Sequence, residues 1–453
     1  MKETRGPDPR VWALRVLMQS ERNDVSLDLL MDDVLHKPFE PRDRHLLHAL
    51  VYGVLRNRLR LDTILAAFLH QPMDRIDSRL IWILRMGLFQ ILEMDRVPNH
   101  AVVHTAVELT RTLRMGWAGG MVNAVLRRAI REASGVPLPV MAQEPIRALA
   151  VGASFPQWLI EKWIGRYGAD ETQALCGAFN RIPPLVIRTN TLRTTRDHLM
   201  RSLADSAEGI EQTRFSPDGI RMARAHAAVF RLPGFPEGHF QVQDEAAQLV
   251  GLLVDPRAGM RVLDACAGRG GKTGHLAQMM NNSGEILAVD QSGEKLSVLE
   301  REMKRLGVSM VRCRNHAWTD GPLGREEAGF DRILVDAPCS GLGVLGRNPD
   351  IRWRPDRKDL RPFALRQVAI IENSLCLLKP GGRLVYAVCS MEPEETEGVI
   401  ATILQGHPEI RRVESLAELP ESPVSAFWKE GAFRSSPHLD GMDGFFAAVM
   451  TTN

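Results

Sequence analysis

The sequence is 453 residues long, which exceeds one ordinary domain and suggests two or three with sizeable cores. Its 44% hydrophobic and 25% charged residues suit a soluble globular protein, and it holds no apolar run of about 18 residues that could span a bilayer. A formal net charge of +2 selects no partner by itself.

The opening MKETRGPDPR lacks the apolar core of a secretory leader, so a cytoplasmic protein with reduced thiols is expected. From about residue 8 to 135 the periodicity predicts helices only. In RHLLHALVYGVL, Leu47, Leu50, Val51, Val54 and Leu55 fall at helical spacing. RLIWILRMGLFQILEM is apolar nearly all round, as a helix central to a bundle would be. VPNHAVVHTAVELTR begins with Pro98 and Asn99, both suited to a helix start. Residues 1–140 hold 20 Lys and Arg against 16 Asp and Glu, with arginines concentrated in LRNRLRLD and LRRAIRE. Solvated helix faces explain such clusters at least as well as an RNA-facing surface does.

Over roughly residues 150–250, prolines and glycines punctuate short apolar runs such as PPLVIRTNTLR, GIRMARA and HFQVQDEAAQLVG. A small α+β subdomain is expected there. From about residue 259 the pattern becomes strand–helix alternation. Candidate strands are MRVLDA, GEILAVD, SMVRCRN, DRILVDAP and GRLVYAVCS. Helical patterns run over Lys272–Met280, Glu294–Arg305, Leu360–Leu378 and Glu394–Leu404. Such alternation specifies a mostly parallel sheet covered on both faces, with ligands at the carboxyl ends of its strands. The domains expected are therefore 1–140, all-helical; 141–250, small α+β; and 251–453, α/β and Rossmann-like.

VLDACAGRGGKTGHL reads as a strand, a glycine turn and a helix start. A Walker A loop needs glycine five residues before Gly271, where Cys266 stands. The dinucleotide pattern beginning at Gly268 and Gly270 meets Thr273 where its last glycine belongs. What remains is a glycine turn followed by Asp290 at the end of the next strand, placed to accept hydrogen bonds from ribose hydroxyls. NAD, ATP and S-adenosylmethionine all satisfy that pattern, and so does a tight turn with no ligand.

Six cysteines occur with no C-x-x-C pair, so neither a metal site nor a dithiol motif is expected. Cys176, Cys313 and Cys376 lie inside apolar patterns and read as small core hydrophobes. Cys339 and Cys389 differ, because each ends a predicted core strand on the ligand face. A thiol there is either a core residue or, with its thiolate favoured, a nucleophile.

Three stretches carry a family resemblance: LDACAGRGGKT, DAPCSGLGVLGRNPDIRW and VYAVCSMEPEETEGVI. In this order and spacing they resemble the RNA cytosine-5 methyltransferases. DGFF, from Asp443 to Phe446, resembles that family's final strand, and FQVQDEAAQLV resembles its approach to the catalytic domain. Residues 8–135, including VPNHAVVHTAVEL and MVNAVLRR, resemble a NusB-like domain, which narrows the likeness to RsmB-like members. The resemblance covers nearly the whole chain. It implies a Rossmann-like methyltransferase domain behind an all-α NusB-like domain and a small α+β subdomain. It also implies S-adenosylmethionine as cofactor and 16S ribosomal RNA, free or in an assembling small subunit, as partner; DNA and membranes are not expected partners, and a monomer is expected.

The same resemblance implies roles for single residues. Cys389 is the expected nucleophile on carbon 6 of cytosine, Cys339 assists its release, and Asp336 holds the base edge near the cofactor. Cys266, Ala267, Gly268, Arg269, Gly270, Gly271 and Lys272 form the expected cofactor loop, with Asp290 on the ribose and Asn315 where the family commonly has an aspartate. Gly268 and Arg269 depart from the family's Ala-Pro, and Val388 replaces a common Thr. Arg347, Asn348, Arg352 and Trp353 are candidates to meet RNA phosphate or stack on a base, with Trp353 as a loop anchor the plain alternative. Competing readings are a P-loop NTPase, a DNA cytosine methyltransferase, a tRNA methyltransferase and a non-catalytic RNA-binding assembly factor.

Overall fold

A computed structural model of the chain describes residues 7–21, 26–419 and 422–452. Residues 1–6 of the opening stretch lie outside these. Contacts divide the chain into two units: Met1–Arg181 with Leu345–Lys358, and Ile182–Val344 with Asp359–Asn453.

The first unit is helical. Its helices are α1 (Pro9–Ser20), α2 (Leu27–Leu35), α3 (Pro41–Arg56), α4 (Arg58–Ala66), α5 (Ser78–Glu93), α6 (Asn99–Thr112), α7 (Gly119–Glu132), α8 (Pro145–Ala153), α9 (Gln157–Tyr167) and α10 (Ala169–Asn180). The all-round apolar stretch is α5, in which every residue from Leu80 to Gln90 is buried. Burial of Arg85 in that helix is matched by a bidentate pair with Asp62, at 2.7 and 2.9 Å.

The segment 345–358 belongs to this unit and not to the sheet that precedes it in sequence. Arg352 is 1% exposed and lies over the Phe155 ring, 3.8 Å from its centroid. Its guanidinium donates to Asn180 Oδ1 at 2.8 Å and to the Phe179 carbonyl at 3.2 Å. The Trp353 indole donates to the Leu55 carbonyl at 2.9 Å. Arg352 therefore does not face RNA as the sequence suggested, and Trp353 takes the anchoring role.

The second unit holds two sheets. The smaller is antiparallel, in the order β2 (Ala207–Gln212), β3 (Gly219–Ala225), β1 (Leu185–Thr189), β4 (Phe240–Val242), with α11 (Arg196–Leu203) beside it. After α12 (Glu245–Val254) comes the larger sheet. Its strands are β5 (Arg261–Asp264), β6 (Glu285–Asp290), β7 (Val311–Asn315), β8 (Phe330–Asp336), β9 (Leu378–Val388), β10 (Ile410–Arg412), β11 (Trp428–Lys429), β12 (Ala432–Ser435) and β13 (Phe445–Thr452). Helices α13 (Gly271–Met279), α14 (Gly293–Leu306), α15 (Arg361–Leu375) and α16 (Glu397–Gly406) connect them.

The strand order is β11-β12-β13-β9-β8-β5-β6-β7, with β10 against β13. From β9 to β7 the pairings are parallel, and β13 runs antiparallel to β9. Successive strands spread to one side from β5 and to the other from β8. The switch point thus lies between these two neighbours, where an open α/β sheet leaves a crevice for ligands. Two separate apolar clusters cover the sheet, one including α12, α13 and α14 residues and the other α15 and α16 residues.

Two boundaries differ from the periodicity. The helical pattern of Leu360–Leu378 stops at Leu375, because Leu378 already pairs with Phe330 in the sheet. Cys376 follows that helix end and is exposed, so it is not the core residue expected; Cys313 is half-buried and Cys176 is buried. Among the described residues, no helix is long and apolar enough to cross a membrane.

Candidate active site

The glycine turn joins β5 to α13 at the switch point. Gly268 and Gly270 both take left-handed backbone, with φ of +55° and +87°. A Cβ on Gly270 would stand 2.8 Å from Leu299 Cγ, so α14 packs against bare backbone there. On Gly268 or Gly271 it would meet nothing within 4 Å, which leaves open space on that side of the loop.

Neighbouring strand ends hold the turn. The Gly268 N–H donates to Asp290 Oδ2 at 3.0 Å, and the Ser292 N–H donates to the other oxygen at 2.8 Å. Asn315 is exposed and donates its amide to the Asp290 carbonyl at 3.0 Å. Lys272 donates to Asp336 Oδ2 at 2.7 Å, joining the loop to the end of β8. Cys266 and Arg269 are half-buried and Ala267 is buried, its N–H bound to the Val289 carbonyl at 2.9 Å.

Three contributors escaped the sequence reading. Asp264, fully buried at the end of β5, accepts from Thr273 Oγ1 at 2.7 Å, while its Oδ1 has no hydrogen-bond partner among the described residues. Burial, opposed by the Thr273 hydrogen bond, pushes its carboxyl up to about 7. Arg188 of β1 is 1% exposed and donates to the Gly271 carbonyl at 3.0 Å, so the smaller sheet braces the turn. The Trp318 indole donates to the Ala265 carbonyl at 2.6 Å. Only Asp264 had a local signal, as the acid just before the glycines.

These residues fit S-adenosylmethionine. The orphaned oxygen of Asp264 suits an ammonium group, Asp290 keeps acceptor capacity for ribose hydroxyls, and the glycines leave room for a ligand against the backbone.

Cys339 and Cys389 follow the neighbouring strands β8 and β9, and their sulfurs are 3.2 Å apart. Both are half-buried. The sulfur contact, burial and the nearby Glu395 push the Cys339 thiol well above its usual range. The loop after Cys339 returns to β9 through the Gly343 N–H, bound to the Cys389 carbonyl at 3.0 Å. A Cβ on Gly343 would fall 2.0 Å from the Gly444 carbonyl oxygen, which explains the glycine there. Asp336, Cys339 and Cys389 thus all stand at the carboxyl edge of β8 and β9. Among the described residues no cluster of ligand-type side chains could hold a metal ion.

Similarity to known proteins falls on the same segments. A family model described as 16S rRNA methyltransferase RsmB/F matches residues 251–451, a NusB family model matches 7–131, and an RsmF/B-like ferredoxin-like domain model matches 155–229. The chain is 32% identical over 439 residues to the "Probable ribosomal RNA small subunit methyltransferase B" of Bacillus subtilis, covering 97% of each. It is 34% identical over 440 residues to the Synechocystis protein of that name, covering 97% of this chain and 98% of the relative. The crystal structure of a protein named PH0851 aligns with a TM-score of 0.82 at 26% identity, over 98% of this chain and 99% of that one. A methyltransferase homolog from Pyrococcus horikoshii aligns over 68% of this chain and 99% of its own, with a TM-score of 0.57 at 26% identity.

Proposed function

The chain belongs to the 16S rRNA methyltransferase RsmB/F family, and from that premise we propose that it transfers a methyl group from S-adenosylmethionine to carbon 5 of a cytosine in 16S ribosomal RNA through a covalent cysteine–cytosine adduct. The observation that carries this reading is the pair of thiols 3.2 Å apart beside a glycine-loop cofactor cradle. One nucleophile alone would need one cysteine.

Carbon 5 of cytosine is a weak nucleophile. Addition of the Cys389 thiolate to carbon 6 forms an S–C6 bond and converts the ring to an enamine, nucleophilic at carbon 5. S-adenosylmethionine supplies, when bound, a methyl group on a sulfonium. Once carbon 5 carries the methyl, it must lose its proton; the C5–C6 double bond then re-forms as the S–C6 bond breaks and the Cys389 thiolate returns. Cys339, beside Cys389, takes part in this release as base or proton carrier. Asp336 holds the cytosine edge, and Lys272, bound to it at 2.7 Å, fixes its place against the cofactor loop. Cys266–Lys272, with Asp290 and Asn315, would hold the cofactor. The target base must be unpaired or flipped out to reach the thiols.

Mapping 5-methylcytosine in small-subunit rRNA from cells with and without the protein tests the substrate. One site should lose its mark, and an unchanged map would refute the 16S assignment. With purified protein, Cys389→Ala should abolish methylation. Cys339→Ala should slow turnover by about 10²–10⁴-fold and leave a denaturation-resistant RNA–protein adduct. If Cys389→Ala formed that adduct, the roles of the two thiols would be reversed.

A further inference from the structure

The side chain of Glu395 lies where the two cysteine-bearing loops meet. It is 0% exposed. One carboxyl oxygen accepts from the Ser340 N–H at 2.8 Å and from Gln367 Nε2 at 3.0 Å. The other accepts from the hydroxyls of Ser340, at 2.5 Å, and Ser390, at 2.7 Å. Each neighbour is a donor, and an ionised carboxylate accepts only, with about four lone-pair sites. Ser340 follows Cys339 in the chain and Ser390 follows Cys389, so each bond reaches its loop one residue from a thiol. The Glu395 carbonyl also accepts from the Tyr386 hydroxyl at 2.6 Å, which fixes the carboxyl's own backbone to β9.

We propose that Glu395 is a positioning residue for the two-thiol reaction: through Ser340 and Ser390 it fixes the loops after β8 and β9 so that Cys339 and Cys389 meet. Its part in catalysis rests on the methyltransferase reading above. Cys339 and Cys389 both lie beyond the paired ends of β8 and β9, so strand pairing by itself does not set the 3.2 Å between their sulfurs. A shared acceptor beyond the strand ends supplies the missing constraint. The nearby Glu395 also adds to the sulfur contact and burial that raise the Cys339 thiol above its usual range.

The test uses the full-length protein. Diamide oxidises two thiols to a disulfide and is itself reduced to the hydrazine, taking up both protons and electrons. The rate at which Cys339 and Cys389 become disulfide-linked, read by peptide mapping after alkylation, reports how often the sulfurs meet. Glu395→Ala should slow this closure by about tenfold or more, the scale expected of a misplaced reacting pair. Glu395→Gln should close at near the wild-type rate, since its amide can donate to the serine hydroxyls while its oxygen accepts from the Ser340 N–H. The double variant Ser340→Ala/Ser390→Ala spares the carboxylate and its Ser340 N–H bond, so it should slow closure part of the way to Glu395→Ala, and alkylation of the exposed Cys376 should be unchanged in all of them. In methylation, kcat should fall in Glu395→Ala while KM for S-adenosylmethionine holds. Closure at the wild-type rate in the double variant overturns the proposal, whether or not Glu395→Ala folds. Should the wild-type protein form no 5-methylcytosine, the functional reading fails while the closure rates still decide the role of Glu395.

Discussion

Asp264 lies fully buried at the end of β5, with Thr273 on one oxygen and, among the described residues, no partner on the other. Its carboxyl ionises near 3.8 in the unfolded chain and is raised to about 7 when folded. Unfolded chains therefore shed this proton first, and the native state loses stability as pH rises through that window. The contribution is complete below the unfolded value and gone above the folded one, a change on the order of 4 kcal/mol if the whole shift is expressed. Thermal midpoints of the wild-type protein should fall, relative to Asp264→Asn, between about pH 4 and about pH 7. A gap between the two that stays constant with pH would sink the idea. At this scale the sequence singled out Cys339 and Cys389, because a cysteine ending a core strand stands out. It did not reveal Glu395, Ser340 or Arg188, since hydrogen bonds spanning 55 or 83 residues leave no local pattern. The repeated Cys-Ser pair was the one available hint for the serines.

The elements were more legible than their contacts. All five predicted strands of the parallel region form; four end in Asp or Asn, while β9 runs from an apolar stretch into Cys389. β2 escaped notice because AEGIEQ buries fully only Ala207; its register comes from β3. The turn between β5 and α13 shows how little tolerance such an element has. Gly270 combines a φ of +87° with a Cβ position 2.8 Å from Leu299, so a side chain there is opposed by backbone and packing together. Gly270→Ala should shift the loop away from α14 and weaken S-adenosylmethionine binding by roughly tenfold or more, about 1.4 kcal/mol per decade. Calorimetric titration measures this directly. RNA binding in a filter assay should be unaffected, and equal losses in both would mean general unfolding instead of loop distortion.

At the scale of the molecule, the segment 345–358 is the least predictable feature. Its sequence follows directly from the thiol loop, and its arginines and tryptophan invite an RNA-facing reading, yet it packs into the helical unit. The physical reason is that Arg352 finds neutral acceptors and an aromatic face within a fixed cavity: Phe155 beneath it, with Asn180 and the Phe179 carbonyl at its edge. Nearby, the Arg56 guanidinium donates to the Gly346 carbonyl at 2.7 Å, and Trp353 is pinned to α3 through Leu55. Arg352→Met keeps much of the apolar stem but strands buried acceptors, each costing about 1–3 kcal/mol when unsatisfied. The helical unit should therefore lose about 2–4 kcal/mol of stability. Tryptophan fluorescence can isolate that unit, because Trp12, Trp82, Trp117, Trp158, Trp163 and Trp353 belong to it and only Trp318 and Trp428 to the other. In urea, the fluorescence transition of Arg352→Met should move to lower denaturant at an unchanged slope. Were Arg352 instead an RNA contact exposed to solvent, the transition would stay in place and only RNA affinity would fall, with a smaller salt dependence.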